Sequence, residues 1–201
     1  MRGALAIDFT RIVTEGPNIE DTARTARSDD RRLAAACAAG DPEVFEELYR
    51  LHGDRMKSMA WNHLGNIADA EDAVQETFIK IHRAAGGYSG EAAFSTWLFR
   101  ILINTCYDQL RRRKRRAEES PIDDDLGAMR AATTVDETKR LALRKLLAAL
   151  PEQRRSVFVL FEIEGLSHAE IATILDITEG NSKWILFSTK KQLQEQWRAA
   201  R

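Results

Sequence analysis

Only two cysteines, four prolines and four histidines occur among the 201 residues, and each scarcity closes off a class of protein. Cys37 and Cys106 stand far apart and form no CxxC pair, so neither a disulfide framework nor a zinc site is indicated, and a reducing compartment suits them. His52, His63, His82 and His168 lack the HxxxH or HExxH spacing that sets two imidazoles on one helix face, so no metal is expected. No stretch reaches the roughly 18 apolar residues a membrane helix needs, and the N-terminus has no basic segment followed by an apolar run. These absences predict a cytoplasmic protein without membrane insertion. No nucleophile beside a base, phosphate loop or pair of buried carboxylates stands out, so no enzyme is expected and no cofactor is required.

Aromatics are also few, at 7%, against 44% hydrophobic and 30% charged residues. Glycine and proline are sparse inside the long periodic stretches, where Ala, Leu, Arg and Glu dominate; these are good helix formers. The composition predicts an all-α protein of one or two compact domains. A formal net charge of -1 suggests no nucleic-acid ligand for the chain as a whole, but it hides how the charges are arranged.

Residues 1–29 show no sustained periodicity and read as a mobile leader. A helical pattern then begins with Leu33, Ala36, Cys37 and Ala38, and stops at Gly40-Asp41-Pro42, where Asp41 suits an N-cap and Pro42 a first helical position. Phe45, Leu48, Tyr49, Met56 and Ala60 share one stripe of the next helix. After Gly65-Asn66, Asp69 is the expected cap of a helix with Ala70, Val74, Phe78 and Ile81 inward and Glu71, Asp72, Gln75, Glu76 and Lys80 outward. Phe94, Trp97, Leu98, Ile101, Leu102 and Cys106 define a further helix, which ends in six consecutive basic residues, Arg111, Arg112, Arg113, Lys114, Arg115 and Arg116. Two or three cations there would complement the helix dipole; six suggest phosphate contact. Residues 117–137 are acidic and weakly apolar, and read as a flexible linker.

The remaining segment, 138–201, carries eleven basic and seven acidic residues, a modest excess that favours a phosphate partner. Ser167-His168-Ala169-Glu170 has the form of a capping box. Ile171, Ala172, Leu175 and Ile177, followed by Thr178 as a second cap, predict a helix-turn-helix. The start of its second helix would face a DNA major groove, presenting Asn181, Lys183, Trp184 and Phe187 with Lys190 and Lys191 behind. The expected architecture is therefore two small helical domains, 30–116 and 138–201, the second a helix-turn-helix.

Three segments carry a family resemblance: Asp69-Ala-Glu-Asp-Ala-Val-Gln-Glu-Thr-Phe-Ile-Lys-Ile; Phe94-Ser-Thr-Trp-Leu-Phe-Arg-Ile-Leu-Ile-Asn-Thr-Cys-Tyr-Asp-Gln-Leu-Arg-Arg-Arg; and Leu150-Pro-Glu-Gln-Arg-Arg with Gly165-Leu-Ser-His-Ala-Glu-Ile-Ala. In this order they resemble the two-domain extracytoplasmic-function (ECF) sigma factors of bacterial RNA polymerase. The resemblance implies docking of the first domain on the β′ clamp of core RNA polymerase through Asp69, Asp72, Gln75, Glu76 and Lys80. It implies contact with the opened minus-10 promoter strand through Asn104, Asp108 and the run Arg111 to Arg116, with Trp97 more in the core than on the strand. The second domain would read the minus-35 duplex through Ser167, His168, Asn181, Lys183, Trp184, Phe187, Lys190 and Lys191, and meet the β flap. An anti-sigma factor is the expected regulator.

The resemblance breaks down in the second helix of the helix-turn-helix. Family members commonly have Thr-Val-Lys-Ser-Arg with another Arg soon after; here Ser182 replaces the Val, and Ile185 and Ser188 stand where arginines are expected. Trp184 and Phe187 add aromatic surface, which suggests an altered minus-35 contact or a helix adapted to a protein. Two other readings are a sigma mimic that sequesters an anti-sigma factor, and a free-standing repressor. The repressor would need a dimer seam that the sequence does not show.

Overall fold

The computed structural model describes residues 32–37, 39, 41–89, 91–119 and 145–199; the expected leader, 1–29, lies outside them. The described residues form helices and connecting turns, with no strand. Residues 32–37 are helical and bury Leu33 and Cys37. Helix α1, Pro42–Leu64, starts as its sequence predicts: Asp41 is extended, its carboxylate accepts the Glu43 amide at 3.0 Å, and Pro42 occupies the first turn. Gly65 ends the helix at φ 83°, a left-handed conformation that costs glycine nothing.

Helix α2, Ile67–Ala84, corrects the predicted cap. Asn66 rather than Asp69 takes the extended N-cap conformation, and its Oδ1 accepts the Asp69 amide at 2.7 Å. Gly65 has already turned the chain, so the first capping residue after it starts the helix. Asp69 falls in the first turn, where a carboxylate complements the helix dipole. A 3-10 turn, Ala85–Gly87, leads to helix α3, Phe94–Glu119. This helix continues past the basic run because Ala117, Glu118 and Glu119 are good helix formers and the first breaker is Pro121. Beyond Glu119 the expected linker lies outside the described residues.

Leu48, Met56, Met59 and Ala60 of α1, Ala73 and Ile81 of α2, and Leu98, Leu102, Ile103 and Cys106 of α3 have no solvent exposure. Together they form the core of a three-helix unit. Trp97 is half-buried and stacks on Phe94 with centroids 5.4 Å apart, packed against this core. Burial pushes the Cys106 thiol up to about 12 and that of Cys37 to about 11, so both are packing residues rather than reactive thiols.

The second unit begins in the helical residues 145–148. It continues through helix α4, Glu152–Phe158, which runs directly into a π-helical turn, Val159–Ile163. Gly165, at φ 67°, breaks the chain before helix α5, His168–Leu175, and helix α6, Glu179–Ala199, follows. Val157, Leu160, Ile171 and Leu193 are fully buried among these elements.

The buried apolar residues of the two units form one continuous cluster, and polar contacts join the units as well. Arg55 of α1 donates to the Glu164 carboxylate at 3.2 Å and to the Glu164 carbonyl at 2.6 Å, and the Ser58 hydroxyl donates to the same carboxylate at 3.1 Å. Burial raises the Glu164 carboxyl above its ordinary value, against the opposing pull of Arg55. Nearby, Ser156 of α4 sits 2.9 Å from His63 Nε2 and 2.7 Å from the Tyr107 hydroxyl, while Arg155 donates to the His63 carbonyl at 2.7 Å.

Candidate nucleic-acid and polymerase interface

The residues expected to meet polymerase lie along α2, and the first turns of that helix project its acids outward. Asp72 and Gln75 are exposed, while Asp69, Glu76 and Lys80 are half-buried where α2 meets α3. The α3 residues expected at the minus-10 strand are aligned beside them. Asn104 is exposed, and one turn later Asp108 accepts from Arg111 at 2.6 Å. That hydrogen bond, ahead of opposing desolvation and the nearby Lys80 charge, holds the Asp108 carboxyl below its ordinary value.

Ion pairs join these two expected sites into one. Lys80 lies 3.1 Å from Glu76 and 3.6 Å from Asp108; Arg112 is 3.6 Å from Glu76, and Arg113 is 3.9 Å from Asp69. Lys80 also donates to Thr105 Oγ1 at 3.0 Å. The acids and cations line a cleft of about 480 Å³ that includes Asp69, Asp72, Glu76, Arg112, Arg113 and Arg116. The basic run therefore has two faces. Arg112, Arg113 and Arg116 line the cleft beside α2, while Lys114 and Arg115 are exposed outside it. Such a surface can hold a phosphate backbone along α3 while α2 presents carboxylates to a basic protein.

The second unit holds the predicted helix-turn-helix. Ser167 caps α5: its hydroxyl accepts the Glu170 amide at 3.3 Å, and the Glu170 carboxylate accepts the Ser167 amide at 2.8 Å, completing the capping box. Asp176, at φ 55°, turns the chain, and Thr178 accepts the Asn181 amide at 3.1 Å to start α6. His168 stacks on Phe161 with centroids 4.5 Å apart, and its Nδ1 is 2.9 Å from Ser182 Oγ.

That last contact explains the unusual sequence of α6. Ser182 is fully buried, as the position requires, and its hydroxyl is satisfied by His168 rather than left unpaired. Ile185 is 3% exposed, so here it belongs to the core. Ser188, half-buried, hydrogen-bonds back to the Ile185 carbonyl at 3.0 Å. Asn181, Lys183, Trp184, Phe187 and Lys191 are exposed. Lys190 is drawn back to Glu162 at 2.5 Å, and Lys183 pairs with Glu179 at 2.5 Å. Among the described residues, no group of three or more His, Cys, Asp or Glu side chains is placed to hold a metal ion, and no helix is long and apolar enough to cross a membrane.

Family models match both units: Sigma-70 region 2 over residues 48–116 and Sigma-70 region 4 over residues 140–193. Over 154 residues, 77% of each chain, the sequence is 34% identical to the ECF RNA polymerase sigma factor SigM of Mycobacterium tuberculosis (strain ATCC 25618 / H37Rv). The chain belongs to the ECF sigma factors. It is a transcription-initiation factor and not an enzyme.

This sigma factor is also 29% identical to the RNA polymerase sigma-H factor of Pseudomonas aeruginosa, over 84% of this chain and 94% of that one. With the ECF RNA polymerase sigma-E factor of Escherichia coli (strain K12) it shares 30% identity over 82% and 92%. Among solved structures it is similar to CnrH in complex with the cytosolic domain of CnrY, at a TM-score of 0.67 and 26% identity, covering 86% of this chain and 99% of that one. It shares its fold, at a TM-score of 0.62 and 24% identity, with the sigma factor RpoE from Bartonella quintana, solved with the anti-sigma factor NepR; 78% and 98% of the two chains are covered.

Sequence reasoning missed the residues between the units: Arg55, Ser58, His63, Tyr107, Ser156 and Glu164. Glu164 carried a faint signal, as a charge just after the apolar run Val157 to Phe161. The other five are ordinary helix residues whose partners are distant in sequence.

Proposed function

We propose that this sigma factor docks on the β′ clamp of core RNA polymerase through the acidic face of α2 and holds the opened minus-10 strand along α3. In this reading Asp69, Asp72, Gln75, Glu76 and Lys80 meet the clamp. Asn104 and Asp108 approach the strand, and Arg111, Arg112, Arg113, Lys114, Arg115 and Arg116 serve its backbone. The helix-turn-helix reads the minus-35 duplex through α6, with Ser167 and His168 at its entry, and sits by the β flap. The functional segments are 30–116 and 138–201, separated by a linker at 117–137 and preceded by a leader at 1–29. The work is done in the cytoplasm.

One observation carries this reading: an acidic helix face and a basic helix run lie side by side on one unit, while an exposed helix-turn-helix occupies the other. A protein partner and a phosphate backbone can then be held together. An anti-sigma factor that covers these faces would control the protein, in keeping with the complex formed by the structurally similar RpoE of Bartonella quintana.

Abortive initiation with purified core polymerase on a library of promoter fragments tests the proposal. Sequence-selective initiation, lost when Arg111 to Arg116 are changed to alanine, is the expected result. Polymerase binding without initiation on any fragment would overturn promoter recognition and favour a sigma mimic.

A further inference from the structure

Trp184 and Phe187 are 60% and 70% exposed, the most exposed aromatic side chains among the described residues. They project from the first turns of α6, one turn apart, on the face that also carries Asn181 and Lys191. The other large exposed apolar side chains, Tyr49, Leu51, Ile67 and Ile79, belong to α1 and α2, so the aromatic pair is a small local feature. Two side chains fall well short of the roughly 800 Å² per partner of a stable protein interface. They do match the scale of a few base pairs in a major groove.

The polar groups beside them narrow the choice of base. Arginine is the commonest reader of guanine, through its O6 and N7, and none occurs from Glu179 to Lys191. Lysine can take that role, but Lys183 is paired with Glu179 and Lys190 with Glu162, both at 2.5 Å. Lys191 lies beyond Phe187, placed for the phosphate backbone. What remains at the tip is Asn181, whose amide matches adenine N6 and N7, and two aromatic faces suited to the one apolar group in the major groove, the thymine C5-methyl. Gly180 adds no side chain, and a Cβ there would meet nothing within 4 Å, so the base edges can approach closely.

We propose that α6 selects A·T base pairs in its upstream element by packing Trp184 and Phe187 against thymine C5-methyl groups, with Asn181 on adenine. This rests on the reading of the second unit as a minus-35 duplex reader. The aromatic faces lose exposed apolar area only when methyls cover them, and cytosine, lacking the methyl, leaves them wet.

The test uses holoenzyme assembled from the full chain and core polymerase. The probes are duplex promoter fragments with a randomised upstream element, each prepared with either thymine or deoxyuridine in that element. Uracil pairs like thymine but lacks the methyl. The wild-type protein is expected to enrich A·T-rich elements and to bind the enriched sequence roughly three- to fivefold more weakly for each contacted thymine replaced by uracil, the value of about one buried methyl. Trp184→Ala and Phe187→Ala should each remove part of that difference while keeping the wild-type Tm, since both side chains are exposed; an unchanged Tm shows that the variant is folded. Enrichment of an element whose binding ignores the methyl would overturn this proposal and leave minus-35 reading intact. Enrichment of no upstream element would overturn both and turn the aromatic pair into a protein contact.

Discussion

Arg55 and Glu164, 109 positions apart in the chain, meet between the two units, with the guanidinium bridging the Glu164 carboxylate and its own backbone carbonyl. The Glu164 side chain is only 6% exposed, and Arg55 also lies over the Phe99 ring, 5.0 Å from its centroid. This contact ties the first unit to the second, beside the apolar cluster the two units share.

Replacing Arg55 alone strands a buried carboxylate. Arg55→Ala should lower stability by about 3 kcal/mol in urea denaturation and raise the radius of gyration seen by X-ray scattering. The double change Arg55→Met with Glu164→Leu removes both charges and should regain most of the loss. Equal losses in the single and double variants would show that the pair does not hold the units together.

His63 makes stability depend on pH. Fully buried, it is held down to about 4 from 6.5, chiefly by desolvation, with the Met59 carbonyl opposing and Arg155 adding to the shift. The unfolded chain then binds more protons than the folded one between these values, so stability is present above pH 6.5 and falls on acidification through that window. The loss by pH 4 is roughly 3 kcal/mol. Denaturation of wild type and His63→Asn across this range checks it: the variant curve should be flatter in the window by that amount. Glu164, raised above its ordinary value, slopes the other way but is common to both proteins, so the comparison isolates the imidazole.

The ion pairs between α2 and α3 predict opposite effects of one substitution. Glu76→Gln loosens Arg112 and should raise the affinity of the chain alone for single-stranded DNA a few-fold, the scale of an exposed ion pair. It should weaken core polymerase binding, because it removes an acid from the proposed docking face. Fluorescence anisotropy with labelled oligonucleotide and with core polymerase measures the two. Changing Arg115 and Arg116 to alanine should reduce the slope of log K against log salt for the single strand by about 1.4.

The Ser167 cap anchors the helix-turn-helix. Ser167→Ala removes a side-chain acceptor from the α5 N-terminus and should cost about 1 kcal/mol, measurable as a lower Tm. Ser167→Asp, which also accepts the amide, should retain more of that stability than alanine.

Much of the fold was legible from local chemistry. Asp41-Pro42, the Ser167 to Glu170 box and the Thr178 cap each specify a helix start within four residues, and the structure forms all three. The Asn66 cap was misassigned because two capping residues, Asn66 and Asp69, lie three apart and only the Gly65 turn decides between them. Ser182 looked like a defect in the recognition helix because its partner, His168, is on another helix. Ile185 reads in sequence only as a missing arginine, because a motif carries no burial; the structure adds that it packs in the core. The ion pairs tying α2 to α3 were unreadable for a similar reason: each helix showed its charge, but not which face the neighbouring helix would meet.

Titration of the labelled full chain with core RNA polymerase tests the central claim most directly. The account predicts saturable one-to-one binding that weakens at least tenfold when Asp72→Asn and Glu76→Gln are combined, about 1.4 kcal/mol or more. No saturable binding by the wild-type chain, or binding indifferent to the loss of both acids, would contradict the assignment of α2 as the polymerase-docking face.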